Sequence, residues 1–455
     1  MEKIRKALEN ATDTRAVLIE EGAVAQVPAF LRRLGGEQVR AVLIADMNTW
    51  KAAGAQVSAC LAAAGIPQEQ PLVFDDPDLY AEWRFLKDVE IHLRAHDAFP
   101  VAVGSGVIND LVKLASSRLG RPYLIVGTAV SMDGYTAFGA SITFEGIKQT
   151  FSCKAPAAVV LDPAIAAAAP VGLAASGYAD LFAKIPAGSE WMLADALGEE
   201  PIHPTAFHLV QDGLREALSD PAGVADGALG PTRLLAEGLI MSGLAMQACQ
   251  SSRPASGTEH QISHFWDMEG LSMNGRHVSH GFKVAIGTLV STACLEFMLG
   301  YDWDRLDIDA AAAAWPSFDE QQALIRKLFA DRPFHRERAL SESARKYHDA
   351  AFIRTELERF RAVWPALSEE VRKQILPFGQ VREALRLAGA PYEPEMIGIS
   401  RQRLCETFQG LPYMRSRFLA IDFLLRAGLM KEVSTHLFGP GGHWDLSAAP
   451  APATA

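Results

Sequence analysis

Short runs of apolar residues alternate with helical spacing over the first third of the chain. We predict strands at residues 17–19, 41–45, 71–74, 101–103, 123–126 and 158–161. Between several of these runs the apolar positions recur at helical intervals, as in residues 27–34 and 107–118. Continuous apolar strands separated by helices indicate a parallel sheet that is covered on both faces. We therefore predict an α/β domain with a Rossmann-like sheet over residues 1–165.

The pattern changes after Pro163, where alanine- and leucine-rich stretches with helical spacing continue to about residue 435. No strand is evident in this part of the sequence, and we predict an all-helical second domain over residues 166–445. The last ten residues, 446–455, are small and interrupted by proline. We expect them to form a disordered tail.

Composition and charge narrow the class of protein. A chain of 455 residues that is 49% hydrophobic has enough core for two domains. The net charge of −11, without a Lys/Arg cluster, argues against nucleic-acid binding. We find no signal peptide and no 18-residue uncharged apolar run, so we expect no membrane partner. The five cysteines are scattered, which suits reduced thiols and a cytoplasmic protein.

A glycine corner follows the predicted strand at residues 101–103. Gly104-Ser105-Gly106 leads into a helix that contains Asp110. Glycines at such a corner let the backbone approach a pyrophosphate, and the helix N-terminus supplies free N–H groups. The same spacing also occurs at ordinary tight strand–helix turns, so both interpretations stay open here.

Two further segments place polar groups at the ends of predicted strands. Thr128, Ser131 and Asp133 follow the strand at residues 123–126 and offer hydroxyls and a carboxylate at the same sheet edge. Asp46 ends the strand at residues 41–45, where a carboxylate can accept hydrogen bonds from an adenosine ribose. The alternative for Asp46 is a cap for the helix that starts near Thr49.

Histidines of the second half suggest a metal site. Ser256 and Glu259 have the spacing of a capping box, which predicts a helix start with His260 in its first turns. His264 then lies one turn later on the same face. A histidine pair at this spacing is more often an ordinary surface or core pair, so further residues must support the metal interpretation.

Two such residues are His280, which precedes a glycine, and Asp180, which lies in a helical stretch near the start of the second half. One carboxylate and two imidazoles leave coordination positions open, as a catalytic metal requires. His277 is the rival of His280 for the third position. His264 is either a fourth ligand or a group that contacts substrate, and the latter fits an open site better.

Ordered motifs extend over residues 40–290, with a last one near the C-terminus. They are Ala45-Asp-Met-Asn-Thr49, Gly104-Ser-Gly-Val-Ile-Asn-Asp110, Thr128-Ala-Val-Ser-Met-Asp-Gly134, Lys154-Ala-Pro156, the stretches 177–184 and 252–260, Ser263-His264, His280-Gly281 and the stretch 412–425. Together they resemble the sn-glycerol-1-phosphate dehydrogenase family. That family belongs to the superfamily of iron-type alcohol dehydrogenases, glycerol dehydrogenases and dehydroquinate synthases.

The resemblance implies a two-lobed, dehydroquinate synthase-like fold that binds NAD, with NADP as the alternative. It implies one divalent metal, Zn²⁺ or Ni²⁺, held by Asp180, His260 and His280, with Asp133 and His264 contacting substrate. The implied reaction is hydride transfer at C2 between dihydroxyacetone phosphate and sn-glycerol 1-phosphate. We also expect a homo-oligomer, a dimer or larger. The residues that we predict to bind the cofactor are Asp46, Gly104, Ser105, Gly106, Asp110, Thr128 and Ser131.

Some features leave the substrate open. The stretch between His264 and His280 and residues 302–348 look like additional material, so another polyol or polyol phosphate is the alternative substrate. Lys154 and Lys184 are candidates for binding a phosphate group. A cyclase related to dehydroquinate synthase would need a set of Lys and Arg residues that is not evident along the metal motifs. A non-catalytic binding protein would not need the intact ligand set.

Overall fold

The carboxyl edge of a parallel sheet and a long series of helices position the candidate site. A computed structural model describes residues 2–448. Its strands in chain order are β1 Ala16–Ile19, β2 Ala41–Asp46, β3 Leu72–Phe74, β4 Phe99–Gly104, β5 Leu124–Gly127, β6 Ala140–Phe144, β7 Ile147–Phe151, β8 Ala158–Leu161, β9 Ser272–Met273 and β10 Arg276–His277.

Six strands form one parallel sheet in the order β1–β8–β5–β4–β2–β3. Each of them coincides with one of the six predicted apolar runs, which confirms that part of the prediction. All residues of β4, β5 and β8 are buried. Residues of a central strand face both sides of the sheet, so apolar residues at every position reflect helices on both faces.

Helices account for most of the remaining chain. Those of the first part are α1 Glu2–Leu8, α2 Val27–Gly35, α3 Met47–Thr49, α4 Ala55–Ala63, α5 Trp83–Arg94, α6 Gly106–Arg118, α7 Pro163–Ala167, α8 Val171–Phe182, α9 Lys184–Leu197, α10 Pro204–Gln211, α11 Leu214–Ala217, α12 Pro221–Ala225 and α13 Leu229–Cys249. Those that follow are α14 Thr258–Asp267, α15 His280–Gly300, α16 Ile308–Ala314, α17 Phe318–Leu328, α18 Pro333–Arg345, α19 Ala350–Gln374, α20 Phe378–Leu387, α21 Arg401–Gly410, α22 Ala420–Arg426 and α23 Met430–Phe438.

Two antiparallel hairpins were not expected from the sequence. Strands β6 and β7 pair around Glu145-Gly146, and β9 and β10 pair around Asn274-Gly275. All four turn residues have positive φ, as a two-residue hairpin turn requires. The second hairpin corrects the expectation that no strand follows residue 163, and the Asn-Gly dipeptide was the signal for it.

Two compact units make up the described chain. The first comprises residues 2–182, 204–255 and 387–390, and the second comprises residues 183–203, 256–386 and 391–448. The predicted boundary near residue 165 stays a prediction. Of the predicted tail, residues 446–448 are described, and Leu446 donates its backbone N–H to Phe438. Residues 449–455 lie outside the described residues.

Helix α15 is the most apolar long helix among the described residues. By length and composition alone it could cross a membrane, with a mean hydropathy of 1.5. However, 78% of that 18-residue window is buried inside the protein. Burial of this kind is what the core helix of a soluble protein shows.

Candidate active site

The carboxyl ends of three neighbouring strands place several predicted residues at one edge of the sheet. Strand β2 ends at Asp46, β4 at Gly104 and β5 at Gly127. Gly104 pairs with Gly127, and Thr128 donates its backbone N–H to the Gly104 carbonyl over 3.1 Å. Ligands of open parallel sheets bind at this edge.

The two glycines of the corner differ in their surroundings. Packing requires a glycine at position 104 but not at position 106. A Cβ on Gly104 would lie 2.7 Å from the Cβ of Ile108, so the turn from β4 into α6 excludes a side chain there. A Cβ on Gly106 would meet only the side chain of Met132 at 3.6 Å, an ordinary contact. Helix α6 starts at Gly106, and the Ser105 hydroxyl makes no capping bond to it. This N-terminus therefore fits a phosphate that approaches the backbone closely.

The Asp46 side chain caps a helix. Its Oδ1 accepts hydrogen bonds from the backbone N–H groups of Asn48 at 2.8 Å and Thr49 at 3.0 Å. The Thr49 hydroxyl accepts in return from the Asp46 N–H, which completes a capping box. The structure thus shows Asp46 as a helix cap, which was the alternative to ribose binding, and the capping bonds use one of its two carboxylate oxygens. A hydrogen bond from a ribose hydroxyl would be accepted by the other carboxylate oxygen.

Asp110 lies beneath the same corner and binds the chain itself. It accepts the backbone N–H of Ser141 over 3.1 Å, and Lys113 Nζ lies 3.9 Å away. Lys113 is fully buried and donates to the carbonyls of Gly134, Ala137 and Gly139. Burial lowers the pKa of Lys113 and raises that of Asp110. The pair holds the 134–141 segment, and sequence reasoning missed this role of Lys113.

Asp180 is positioned by close packing of its own helix, α8. A Cβ on Gly177 would overlap the carbonyl oxygen of Val130, so glycine lets α8 approach that backbone. Asp180 follows three residues later on the same face. Its Oδ2 accepts the backbone N–H of Asp133 over 2.9 Å, and it has no exposed surface.

Asp133 is in turn held by helix α13. Its Oδ2 accepts the hydroxyl of Ser242 over 2.8 Å. A Cβ on Gly243 would lie 2.8 Å from the Asp133 carbonyl oxygen, so α13 also packs directly on this loop. Asp133 is only half-buried. Ser242 gave no signal in the sequence, because its role depends on a packing contact.

Two buried glutamates organise the start of helix α14. Glu190 accepts the backbone N–H of Thr258 over 2.8 Å and its hydroxyl over 2.6 Å. Glu259 accepts the N–H of Gly257 over 2.5 Å. Gly257 rather than Ser256 is therefore the cap residue, which corrects the predicted capping box. The Ser256 hydroxyl instead accepts from Arg417 over 2.6 Å.

Helices α14 and α15 pack closely through a glycine. A Cβ on Gly287 would lie 2.7 Å from the Cα of Glu259 and would overlap its backbone. Lys283 ties the helix ends together, because its Nζ donates to Asp267 over 2.5 Å and to the Val278 carbonyl over 2.9 Å. The rings of His260 on α14 and His280 on α15 consequently lie 5.2 Å apart.

The three predicted ligands come together. One ligand atom each of Asp180, His260 and His280 lies within 4.8 Å of the other two. His277 and His264 are not members of this group. His277 is exposed on β10, whereas His260 and Asp180 are buried.

A second polar group orients each imidazole. Glu259 Oε1 lies 2.9 Å from His260 Nδ1, and because a carboxylate only accepts, Nδ1 carries the proton. This tautomer places the ring lone pair of His260 on Nε2. The Ser263 hydroxyl lies 3.2 Å from His280 Nδ1 and can accept from it in the same way. Such partners are typical of metal-binding histidines.

His264 lies beside the ligand group. Its ring centroid is 6.5 Å from that of His280, and its side chain is 42% exposed. Desolvation lowers the pKa of His264 well below the usual value, and the positive charge of Arg415 adds to this. The neutral imidazole is thus favoured, which can accept or donate one hydrogen bond.

The other predicted site residues vary in exposure. Thr128 and Ser131 are buried, and the Ser131 carbonyl accepts the Ser176 hydroxyl over 3.2 Å. The two lysines that we considered for phosphate binding differ, since Lys154 is exposed and Lys184 is fully buried.

A parallel sheet with a glycine corner, together with an Asp-His-His group in which Asp180 and His260 are buried, is the combination expected of a metal-dependent dehydrogenase that uses a nucleotide cofactor. The family model described as iron-containing alcohol dehydrogenase matches residues 18–170. Glycerol-1-phosphate dehydrogenase [NAD(P)+] of Halalkalibacterium halodurans is 34% identical over 273 residues, 60% of this chain and 68% of that relative. The Bacillus subtilis enzyme of the same name is 33% identical over 64% of this chain and 75% of the relative.

The chain belongs to the glycerol-1-phosphate dehydrogenase family, whose members are NAD(P)-dependent. It is an oxidoreductase of the type that acts on CH–OH groups, within a metal-binding superfamily. The glycerol dehydrogenase structure of Schizosaccharomyces pombe matches with a TM-score of 0.59 and 16% identity, over 93% of this chain and 91% of that one. A probable glycerol dehydrogenase of Sinorhizobium meliloti also has a TM-score of 0.59, at 17% identity over 93% and 98%. These structures support the predicted fold class.

Proposed function

We propose that the protein interconverts dihydroxyacetone phosphate and sn-glycerol 1-phosphate by NAD(P)-linked hydride transfer at C2. The observation that carries the proposal is the group of Asp180, His260 and His280, in a chain about one third identical to enzymes named for this activity. An alternative substrate is another polyol or polyol phosphate. No described contact favours that alternative.

The donor set fits a divalent metal. One carboxylate oxygen and two imidazole nitrogens suit Zn²⁺ or Ni²⁺, and three protein ligands leave a position for substrate. The Glu259 and Ser263 contacts leave Nε2 of His260 and His280 as the proposed ligand atoms. A carboxylate oxygen of Asp180, whose side chain is held by the Asp133 N–H at Oδ2, is the proposed oxygen ligand. When bound, the metal would polarise the substrate oxygen, and the nicotinamide would carry the hydride.

Two side chains next to these ligands are proposed to act on substrate. Desolvation lowers the pKa of His264 and so favours the neutral ring, which is partly exposed and can exchange a proton with a substrate hydroxyl. Asp133 is joined to Asp180 through its backbone and keeps a half-exposed carboxylate, which can accept a second substrate hydroxyl. Ser242 fixes the orientation of that carboxylate.

The cofactor is proposed to bind at the sheet edge. The free N-terminus of α6 and Gly106 would accommodate the pyrophosphate, with Ser105 beside it. Asp46 would accept from the ribose with the oxygen that does not cap its helix. Thr128 and Ser131 complete the proposed cofactor set, whereas Asp110 would act by supporting the corner.

A substrate panel on metal-reconstituted protein tests the function. Dihydroxyacetone phosphate with NADH and with NADPH, sn-glycerol 1-phosphate, its enantiomer sn-glycerol 3-phosphate, and glycerol form the panel. We expect oxidation of sn-glycerol 1-phosphate to exceed that of the other alcohols. Preferential turnover of an unphosphorylated polyol would replace the proposed substrate, and consumption of substrate without net NADH formation would indicate a cyclase.

We further propose a cytoplasmic homo-oligomer that has no nucleic-acid or membrane partner. The support for the compartment is that none of the five cysteines forms a disulfide bond, and two of them are only partly buried. Light scattering after size-exclusion chromatography measures the oligomeric state. A monomeric mass would contradict this part of the proposal.

A further inference from the structure

The ammonium group of Lys113 lies among backbone carbonyls of the loop of residues 133–139, which we call the Asp133 loop. Lys113 extends from helix α6 and is fully buried. Its Nζ donates to the carbonyls of Gly134 over 2.7 Å, Ala137 over 2.8 Å and Gly139 over 3.1 Å. An ammonium has three N–H groups, and these acceptors use all three. Carbonyl oxygens that converge on one point repel one another without a cation between them, so the loop conformation depends on this group.

Two neighbours on the same face of α6 add to this contact. The Asn109 side chain donates to the Gly134 carbonyl over 3.3 Å, and Asp110 accepts the backbone N–H of Ser141 just after the loop over 3.1 Å. The Asp110 carboxylate lies 3.9 Å from Lys113 Nζ, so it opposes the lowering of the Lys113 pKa by burial. Helix α6 therefore binds the Asp133 loop near its start and just beyond its end.

Helix α13 fixes the loop from the other side. The Thr136 hydroxyl donates to the Ile240 carbonyl over 2.8 Å. The Gln247 side chain donates to the Thr136 carbonyl over 2.5 Å. A Cβ on Gly243 would overlap the Thr136 hydroxyl oxygen, so the helix backbone packs directly on the loop. The loop is thus held between α6 and α13, and Lys113 supplies the cationic contact on the α6 side.

Asp133 precedes the carbonyl that Lys113 and Asn109 both bind. Its backbone N–H donates to Asp180 Oδ2 over 2.9 Å, and its carboxylate accepts the Ser242 hydroxyl over 2.8 Å. Peptide units are rigid and consecutive Cα atoms are about 3.8 Å apart, so a shift of the Gly134 carbonyl also moves residue 133. All of these contacts lie within the first compact unit.

We propose that Lys113 is a positioning residue, which sets the place of the Asp133 carboxylate and of the Asp133 N–H that binds Asp180. This inference rests on the proposed function, in which Asp133 contacts substrate and Asp180 binds the metal. Lys113 is fully buried and its three N–H groups are bound to loop carbonyls, so it acts through Asp133 rather than on substrate.

The first test measures amide hydrogen exchange of the full-length protein by mass spectrometry. K113M keeps the length of the side chain and suits a helix, but methionine donates no hydrogen bond. Exchange in peptides covering residues 133–139 should become about 10- to 100-fold faster, because the buried carbonyls lose their donor. Exchange in the centre of α13 should stay slow. Unchanged exchange of the loop in K113M would overturn the inference.

K346M is the matched control. Lys346 is a largely buried lysine of the second unit, and its Nζ donates to Asp422 over 2.6 Å. K346M should lower thermal stability, as the loss of a buried ion-pair partner does, but leave exchange of the Asp133 loop unchanged. Faster loop exchange in K346M as well would attribute the K113M result to general destabilisation and overturn the inference.

The second test is a double-mutant cycle on kcat/KM for sn-glycerol 1-phosphate. K113M should lower this value by up to about 100-fold, the cost of misplacing a group at the site, while NAD affinity stays near normal. In the D133A background K113M should cause a much smaller further loss, because the carboxylate that it positions is already absent. Equal losses in the two backgrounds would overturn the inference.

Two outcomes need a separate readout. If K113M does not fold, N109A takes its place, because Asn109 donates to the same Gly134 carbonyl through a neutral amide. Loop exchange should then increase by a smaller factor, and no increase would overturn the inference. If the wild-type protein does not turn over sn-glycerol 1-phosphate, the proposed function fails, and amide exchange of the Asp133 loop alone decides the role of Lys113.

Discussion

The carboxyl edge of the sheet and the helix pair α14–α15 provide candidate binding groups in different ways. At the sheet edge, the groups are backbone N–H donors, glycines and a helix cap. The Asp46 carboxylate binds its own helix, and Gly104 is fixed by contact with Ile108. Most of the residues predicted to bind the cofactor there, Gly104, Ser105, Gly106, Thr128 and Ser131, have a small side chain or none.

On the helix pair, the groups are side chains that a second residue orients. His260 is bound by Glu259, and His280 by Ser263. The helices themselves approach through Gly287. Every candidate ligand in this region therefore depends on an additional side chain and on a tertiary contact.

This difference predicts how each region responds to substitution. Backbone donors at the sheet edge survive most side-chain changes, so single substitutions there should alter cofactor choice by modest factors. Oriented imidazoles have no replacement, so changes on the helix pair should abolish metal binding or activity. The following predictions test that contrast, in order of decreasing effect.

The largest effect is expected from the proposed ligands. D180A, H260A and H280A should each lose bound metal and lose measurable turnover, because two remaining ligands hold a divalent ion poorly. Metal content is measured by mass spectrometry of the purified protein, and NAD binding by fluorescence titration should be retained. H277A serves as the control, since His277 is exposed and outside the group. Full metal occupancy in H280A together with metal loss in H277A would show that the wrong histidine was chosen.

Replacement of His264 separates a catalytic role from a ligand role on the same helix. H264A should keep stoichiometric metal and near-normal NAD affinity, yet lose roughly 10²–10⁴-fold in kcat, the usual effect of removing a proton-transfer group. Parallel measurements of metal content and steady-state kinetics check this. Metal-free H264A protein would make His264 a ligand, and unchanged kcat would remove it from the chemistry.

Removal of the charge that orients His260 should have an intermediate effect. E259Q keeps the shape of the side chain but offers Nδ1 a weaker acceptor, so metal affinity should fall about 10- to 100-fold. Competition with a chelator measures the change. E190Q is the matched control, because Glu190 of α9 is equally buried and accepts the N–H and the hydroxyl of Thr258 at the start of α14. Equal losses of metal affinity in both variants would point to damage of the helix start instead.

The sheet was more predictable from the sequence than the contacts that orient the site. Continuous apolar runs marked all six parallel strands, because buried strands must be apolar on both faces. The ordered motifs pointed to Asp180, His260 and His280, which the structure brings together. The roles of Gly177, Gly287 and Glu190 could not be derived, because each depends on a backbone or side chain that is distant in sequence. The Asn274-Gly275 dipeptide is a common hairpin signal, so this hairpin could also have been predicted from the sequence.

The smallest effect is expected at the sheet edge, where cofactor preference depends on Asp46. We expect NAD to be preferred over NADP, because the carboxylate accepts from a ribose hydroxyl but repels a 2′-phosphate. Two unit charges 4 Å apart in water repel by about 1 kcal/mol, and a phosphate carries up to about two charges, so the preference should be about 5- to 30-fold. D46S removes the charge, and serine is also a good helix cap, so the start of α3 should be preserved. The ratio of kcat/KM for NAD to that for NADP should therefore fall towards unity in D46S, with little change in thermal stability.

D46A, which lacks a capping oxygen, is the control for the helix cap. It should shift the cofactor ratio as much as D46S does and should lower thermal stability as well. A wild-type preference for NADP, or an unchanged ratio in D46S, would leave Asp46 with its capping role alone.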